Sequence, residues 1–370
     1  MIALDIIFYI FVAIVFIQLF YYLIFLRTFA FLAQQKPQPK DLPVSVIVCA
    51  KNEEENLKLF LPSLLNQDYP NFEVVLINDA SRDETLAVFE HFSEQYNNIK
   101  IVDVKNTEAF WANKKYALTL GIKASKYNHL LFTDADCKPV SSQWISEMTS
   151  AFDNQKSIVL GYGAYAKIKN SLLNKIIRFE TVLTASQYFS YAKLGMPYMG
   201  VGRNLAYTKS LFFEANGFIN HMNVRSGDDD LFVNQMATSK NTALCFTTES
   251  FTESVPKKTL TAWINQKRRH ISTVSHYKKS HKFLLGLFYS TQLLFWVLAI
   301  VLLSLLFQWE IVVGLIGLRI LVQWLIMGKT AKKLDEPDLV FFIPFLEFFL
   351  ILLQLTIFIS NKISKPHTWK

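Results

Sequence analysis

The sequence predicts an α/β domain on a mainly parallel sheet, with transmembrane helices at its N-terminal and C-terminal ends. Three observations predict it. Short apolar runs alternate with amphipathic helical stretches from residue 44 to residue 134, polar residues collect where those runs end, and long uncharged stretches lie near the two termini. Apolar residues make up 51% of the 370, and 32 are Phe. They are clumped, so the chain divides into an oily part and a polar part.

Residues 1–33 form the first element, an anchor. Ile6 to Leu26 ("IIFYIFVAIVFIQLFYYLIFL") carries no charge, and about 20 such residues cross a hydrocarbon core of roughly 30 Å. No basic residue precedes the run and no small-x-small site closes it, which favours an anchor over a cleaved signal peptide. In residues 283–370, Phe283–Phe307, Ile311–Met327 and Leu339–Ile359 make about three further segments, broken by "QWE" and "GKTAKKLDEPD". Arg27, Lys36 and Lys40 follow the first segment, and Lys329, Lys332 and Lys333 follow the third; this bias predicts that the polar domain faces the cytosol. The expected location is a bacterial plasma (inner) membrane. Lys362, Lys365 and Lys370 do not fit four full crossings. Either one segment is re-entrant or the charge bias is weak here. Arg319 and Glu347 fall at similar depth in the third and fourth segments and are expected to pair, unless one of them snorkels to the interface.

Residues 34–255 form the polar domain, opening with the Pro-rich linker "QQKPQPKDLP". The runs "VSVIVCA", "EVVLIND", "IKIVDV" and "HLLFTD" read as buried strands, with helices at "EEENLKLFLPSLLNQ", "DETLAVFEHFSEQY" and "NKKYALTLGIKAS" between them. Ligands of such sheets bind beyond the strands' carboxyl ends. There the sequence has "CAKNE", "INDAS" and "FTDADCKP". Neither G-x-G-x-x-G nor a P-loop occurs. Cys49, Cys137 and Cys245 are odd in number and widely spaced, which suits a reduced compartment and no disulfide framework.

Asp134 and Asp136, spaced D-x-D at a strand end, can hold a divalent ion against a diphosphate, although acidic pairs also close strands as turn formers. Asp79 reads alone as a cap or Asx-turn, and Lys114 as a solvated helical lysine. Residues 256–282 form a basic amphipathic interface segment, "WINQKRRHISTVSHYKKSHK" at its centre, which suits anionic headgroups and not nucleic acid. The run "SGDDD", Asp228 to Asp230, reads alone as a helix N-terminus.

In this order and at these distances, the motifs from about Pro43 to His270 resemble a family 2 glycosyltransferase of the GT-A, or nucleotide-diphospho-sugar transferase, fold. "VSVIVCAKNEEENL", "LINDASRDET", "NKKYALTLGIKAS", "FTDADCKP", "MGVGRNLAYTKSLFFEANGF", "SGDDDLF" and "QKRRH" carry the resemblance. It implies that Asp79 contacts the nucleobase, expected to be uracil, that Lys114 lies near the diphosphate, and that Asp134 contacts the nucleotide sugar. Asp136, with Asp134, would hold Mg²⁺ or Mn²⁺, while Gln266 and Arg269 of the Q-x-x-R motif would close over the diphosphate. Asp229 matches the catalytic base of an inverting transfer; Asp228, Asp230, Gly202 and Asn204 are supporting or acceptor-side residues. His270 stands where the family has tryptophan, and Asn78 and Ala80 where it often has aspartate and glycine. One leading and about three trailing segments are too few for a single-chain polymer channel, so the expected acceptor is a membrane lipid, by analogy with ceramide glucosyltransferases. A polysaccharide synthase or synthase subunit, and a catalytically silent scaffold that binds nucleotide sugar or lipid, are the competing readings.

Overall fold

The computed structural model describes residues 2–33, 38–105, 114–224 and 226–364. Lys36, Lys365, Lys370 and the first part of the linker lie outside these residues. A helix, α1 (Ile2–Phe25), runs into a π-helical turn at Leu26–Ala30. Then follow β1 (Val44–Ala50), α2 (Glu54–Leu65), β2 (Phe72–Asp79), α3 (Thr85–Gln95), β3 (Ile99–Val104), α4 (Lys114–Ala124) and β4 (His129–Asp134). Next come β5 (Cys137–Pro139), α5 (Trp144–Ser150), β6 (Ile158–Leu160), β7 (Gly163–Tyr165), the long α6 (Leu172–Lys193), β8 (Leu205–Thr208), α7 (Lys209–Glu214), α8 (Asp230–Met236), β9 (Thr242–Leu244) and β10 (Thr252–Ser254). The chain continues through α9 (Leu260–Thr273), α10 (Lys279–Ser304), α11 (Trp309–Lys333) and α12 (Ile343–Ile363), with a 3₁₀ stretch at Pro337–Phe342.

Contacts divide the chain into two units. Residues 34–169 and 191–257 make an α/β unit; residues 1–33, 170–190 and 258–366 make a helical one. In the α/β unit one sheet has the order β3-β2-β1-β4-β8-β6-β9 and a second has the order β5-β10-β7. The first four strands are parallel, each strand-to-strand crossover carrying a helix, and β8 runs antiparallel between β4 and β6. Strands β1 and β2 are apolar almost without interruption because the sheet is covered on both faces. Val46, Val48, Leu76, Leu131 and Trp144 belong to one buried cluster with Leu57, Leu61 and Phe89 of α2 and α3.

In the helical unit, four helices are long and apolar enough to cross a membrane: Ile2–Ala30, Lys279–Ser304, Trp309–Lys333 and Pro337–Ile363. The expected pair forms. Arg319 grips Glu347 at 2.5 and 2.6 Å, fully buried, and also donates to Gln18, Tyr22 and Gln323, while Gln292 donates to Glu347. A charge in hydrocarbon needs such partners on every side, and these come from α1, α10, α11 and α12.

Candidate active site

Strand order fixes where a ligand can sit. Successive crossovers build outward from β1 to β3, then the chain returns to lay β4 on the other side of β1, which opens a crevice at their carboxyl ends. Cys49 pairs in register with Asp134 there. A pocket at this point is lined by Cys49, Lys114, Asp134, Gly202, Asp228 and Asp229, among others. Residues from five separate stretches of sequence thus meet in one place.

Lys114 is the first residue of α4, and its ammonium is 2.8 Å from Asp134 and 3.2 Å from Asp228. Burial alone would lower its pKa, but these two carboxylates more than offset that and hold it well above the ordinary value. It is a permanent cation between the D-x-D strand end and the triple aspartate. Asp134, Asp136 and Cys137 place ligand atoms within 4.8 Å of one another. Burial, then Asp134, then Glu53, raise the Asp136 carboxyl, so carboxylate is crowded where a cation would relieve it. Burial holds the Cys137 thiol far up, and its Sγ lies 3.0 Å from Ser254 Oγ. The usable donors are therefore hard oxygens, which suit Mg²⁺ or Mn²⁺ rather than a thiophilic metal.

Asp229 caps α8. Its Oδ1 accepts from the Asp230 N–H at 2.7 Å and its Oδ2 from the Gly202 N–H at 2.6 Å. A Cβ on Gly202 would stand 3.1 Å from Asp229 Oδ2, so the glycine is what lets the backbone approach the carboxylate. Despite two donors, burial, then Asp228, then Asp230, raise the carboxyl to about 7. The sequence made Asp228 and Asp230 supports of Asp229; in the structure Asp229 is itself the N-cap while Asp228 pairs with Lys114, because α8 begins at Asp230, the last of the three acids.

Asp79 ends β2, buried, 3.5 Å from the Lys51 ammonium. Neighbouring Asn78 donates to Asp103 and accepts from the Ser81 N–H, so it braces the turn that leaves the strand. Ala80 adopts φ +50, the left-handed region in which glycine would be unstrained. Asn204 lies in the core and not in the pocket lining: its amide accepts from Trp144 Nε1 and donates to the Tyr162 and Ser250 carbonyls. Gln266 and Arg269 lie on α9 of the helical unit. Between them, Lys267 pairs with Glu180 and Arg268 donates to Asn361, both within that unit.

Two further residues were not singled out in the sequence. Arg203 stacks on Tyr165 at 4.2 Å and donates to the Ala164 carbonyl and Ser254, tying β7 to β10 beside the D-x-D turn. Lys115 is buried, and its ammonium donates to the carbonyls of His221, Val224 and Ser226 at 2.7–2.8 Å, which fixes the loop leading to Asp228. Its only sequence signal was a lysine on the inward face of an amphipathic helix. Lys115→Met is expected to cost about 1.5–3 kcal/mol, the range for hydrogen bonds from a charged donor. Thermal unfolding checks this, and an unchanged midpoint would remove Lys115 from that role.

A twisted, mostly parallel sheet with acids at its strand carboxyl ends and a D-x-D turn defines the GT-A class of nucleotide-diphospho-sugar transferase folds. The mannosyltransferase PcManGT from Pyrobaculum calidifontis, solved in complex with GDP-Man and Mn²⁺, shares this fold at a TM-score of 0.59 and 17% identity, over 91% of this chain and 96% of that one. The model for glycosyl transferase family group 2 matches residues 139–358, more than half the chain, and that for glycosyl transferase family 2 matches residues 45–217. The chain belongs to the family 2 glycosyltransferases. An uncharacterized glycosyltransferase of Haemophilus influenzae is 32% identical over 145 residues, 39% of this chain and 41% of that protein. Glycosyltransferase AglE of Haloferax volcanii is 28% identical over 193 residues, 50% of this chain and 58% of that protein. This chain thus spans about half the length of the curated relatives it matches.

Proposed function

We propose that the protein is an inverting glycosyltransferase that moves a sugar from a nucleoside-diphosphate donor, with UDP as the expected nucleotide, to a membrane lipid at the cytosolic face. The observation that carries this reading is the pocket in which Lys114 links Asp134 to Asp228 and Asp229 stands beside them on the Gly202 N–H. Asp229 takes the proton from the acceptor hydroxyl as that oxygen attacks the anomeric carbon from the face opposite the leaving diphosphate. Lys114 and Arg269 stabilise the charge that develops on the diphosphate, and Asp79 holds the base. Asp134 and Asp136 would hold Mg²⁺ or Mn²⁺, which supplies Lewis-acid stabilisation of the leaving group. Four helices long and apolar enough to cross a membrane support a lipid as the acceptor.

Membranes containing the protein are expected to release nucleoside diphosphate from one member of a nucleotide-sugar panel, in a reaction that needs lipid extract and a divalent cation. Asp136→Asn should lower that release by about 10²-fold or more. Release that survives chelation unchanged would overturn the metal role, and no release with any donor would overturn the enzymatic reading. Mass spectrometry of the lipid fraction identifies the acceptor and shows whether one sugar or many are added.

A further inference from the structure

We propose that the last apolar segment, Pro337–Ile363, does not cross the bilayer but enters and leaves on one side, seated among the acyl chains of a single leaflet. This concerns the path of the chain and does not depend on the reaction.

Helices α1, α10 and α11 establish the two sides. Tyr21 donates to the Leu284 carbonyl at 2.8 Å, Phe11 stacks on Phe295 and Phe8 meets Phe307, so α1 and α10 run antiparallel along their length. The start of α11 packs with the far end of that pair through Val312, Phe11 and Leu302. Its last residue, Lys333, donates to the carbonyls of Phe29 and Leu32 at 2.5 and 2.6 Å. One face therefore holds the end of α1, the start of α10 and the end of α11. By connectivity, this is the face at which the chain leaves for the α/β unit after α1 and returns from it before α9.

Both ends of the last segment are tied at that face. At its start, Arg178 of α6 donates to Glu336 at 2.8 Å and to Asp338 at 3.0 Å. At its end, Arg268 of α9 donates to Asn361 at 2.9 Å and to Ser364 Oγ at 2.8 Å, and Asn361 donates back to the Arg268 carbonyl at 3.1 Å. The two anchors lie on one pair of packed helices, because Glu180, two residues from Arg178 on α6, forms an ion pair with Lys267, next to Arg268 on α9. A helix crossing a core of roughly 30 Å would hold its ends that far apart along the membrane normal.

The middle of the segment reaches inward and comes back. Glu347 meets Arg319 and Gln292, far from the ends of α11 and α10, whereas Ile351 meets Tyr289, nearer the start of α10. The change of course falls where the 3₁₀ stretch Pro337–Phe342 gives way to α12 at Ile343. Phe341 and Phe345 are 73% and 65% exposed on this uncharged stretch, and leaflet lipid is the partner such an aromatic face fits. Lys362 then lies with Lys329, Lys332 and Lys333, which removes the conflict in the charge bias.

Labelling of the full chain in sealed vesicles with a membrane-impermeant maleimide tests this, read above the signal of the parent protein. Three variants are compared: Lys362→Cys, Lys58→Cys in the α/β unit, and Leu305→Cys between α10 and α11. Lys362→Cys and Lys58→Cys are expected to label from the same side, and Leu305→Cys from the other. Labelling of Lys362→Cys together with Leu305→Cys would overturn the proposal. Should a variant fail to fold, protease removal of a C-terminal tag from otherwise unaltered protein gives the same answer: cleavage from the α/β side supports re-entry, and cleavage from the opposite side refutes it.

Discussion

Asp229→Asn is expected to lower transfer about 10²- to 10⁴-fold while leaving donor affinity in place. The amide cannot accept the hydroxyl proton; its one oxygen can still take the Gly202 N–H and so hold the loop, while the bond from the Asp230 N–H is lost. Because the carboxyl of the parent is raised to about 7, kcat/KM should fall about tenfold per pH unit below about 7 as the base becomes protonated. Stability runs the opposite way. The folded pKa lies above the ordinary 3.8, so the folded state binds the proton more tightly than the unfolded chain does. The stability this contributes is full at pH values below about 4 and is lost as pH rises through about 7. At pH 8 the Asn variant should therefore melt no lower than the parent. A variant that is inactive and also far less stable would point to a structural role, and one with parental turnover would remove Asp229 from the chemistry.

Arg319→Leu is expected to destabilise the protein by about 3–5 kcal/mol, because it strands the buried Glu347 without its bidentate partner. Arg319→Leu with Glu347→Leu should recover much of that loss, since no unpaired charge remains. Thermal unfolding of the three variants in one detergent gives the coupling energy directly. A double variant as unstable as the sum of the two single variants would show that the residues do not act as a pair.

The parallel half of the sheet was legible because β1 and β2 hold runs of four or more apolar residues, β3 and β4 hold shorter ones, and helices with their own periodicity stand between them. The strands β5, β6, β7, β9 and β10 have three residues each, too few to show a period of two, so the second sheet could not be seen. Asp134, Asp228 and Asp229 stood out by type and order. That Lys114 bridges two of them depends on α4 and the Asp228 loop meeting across more than 100 residues of sequence, which no local pattern encodes. Lys115 and Arg203 were missed for the same reason. Each acts on backbone carbonyls, and carbonyls have no sequence signature. Arg319 and Glu347 were found because a charge within an uncharged run is visible at once.

That buried pair also constrains the order of synthesis. Gln18 and Tyr22 emerge with the first helix, yet their guanidinium partner lies about 300 residues later. At roughly 5–20 residues per second that is an interval of about 15–60 s. Throughout it the first helix must reside in the membrane with its polar side chains served by water, lipid headgroups or the insertion machinery.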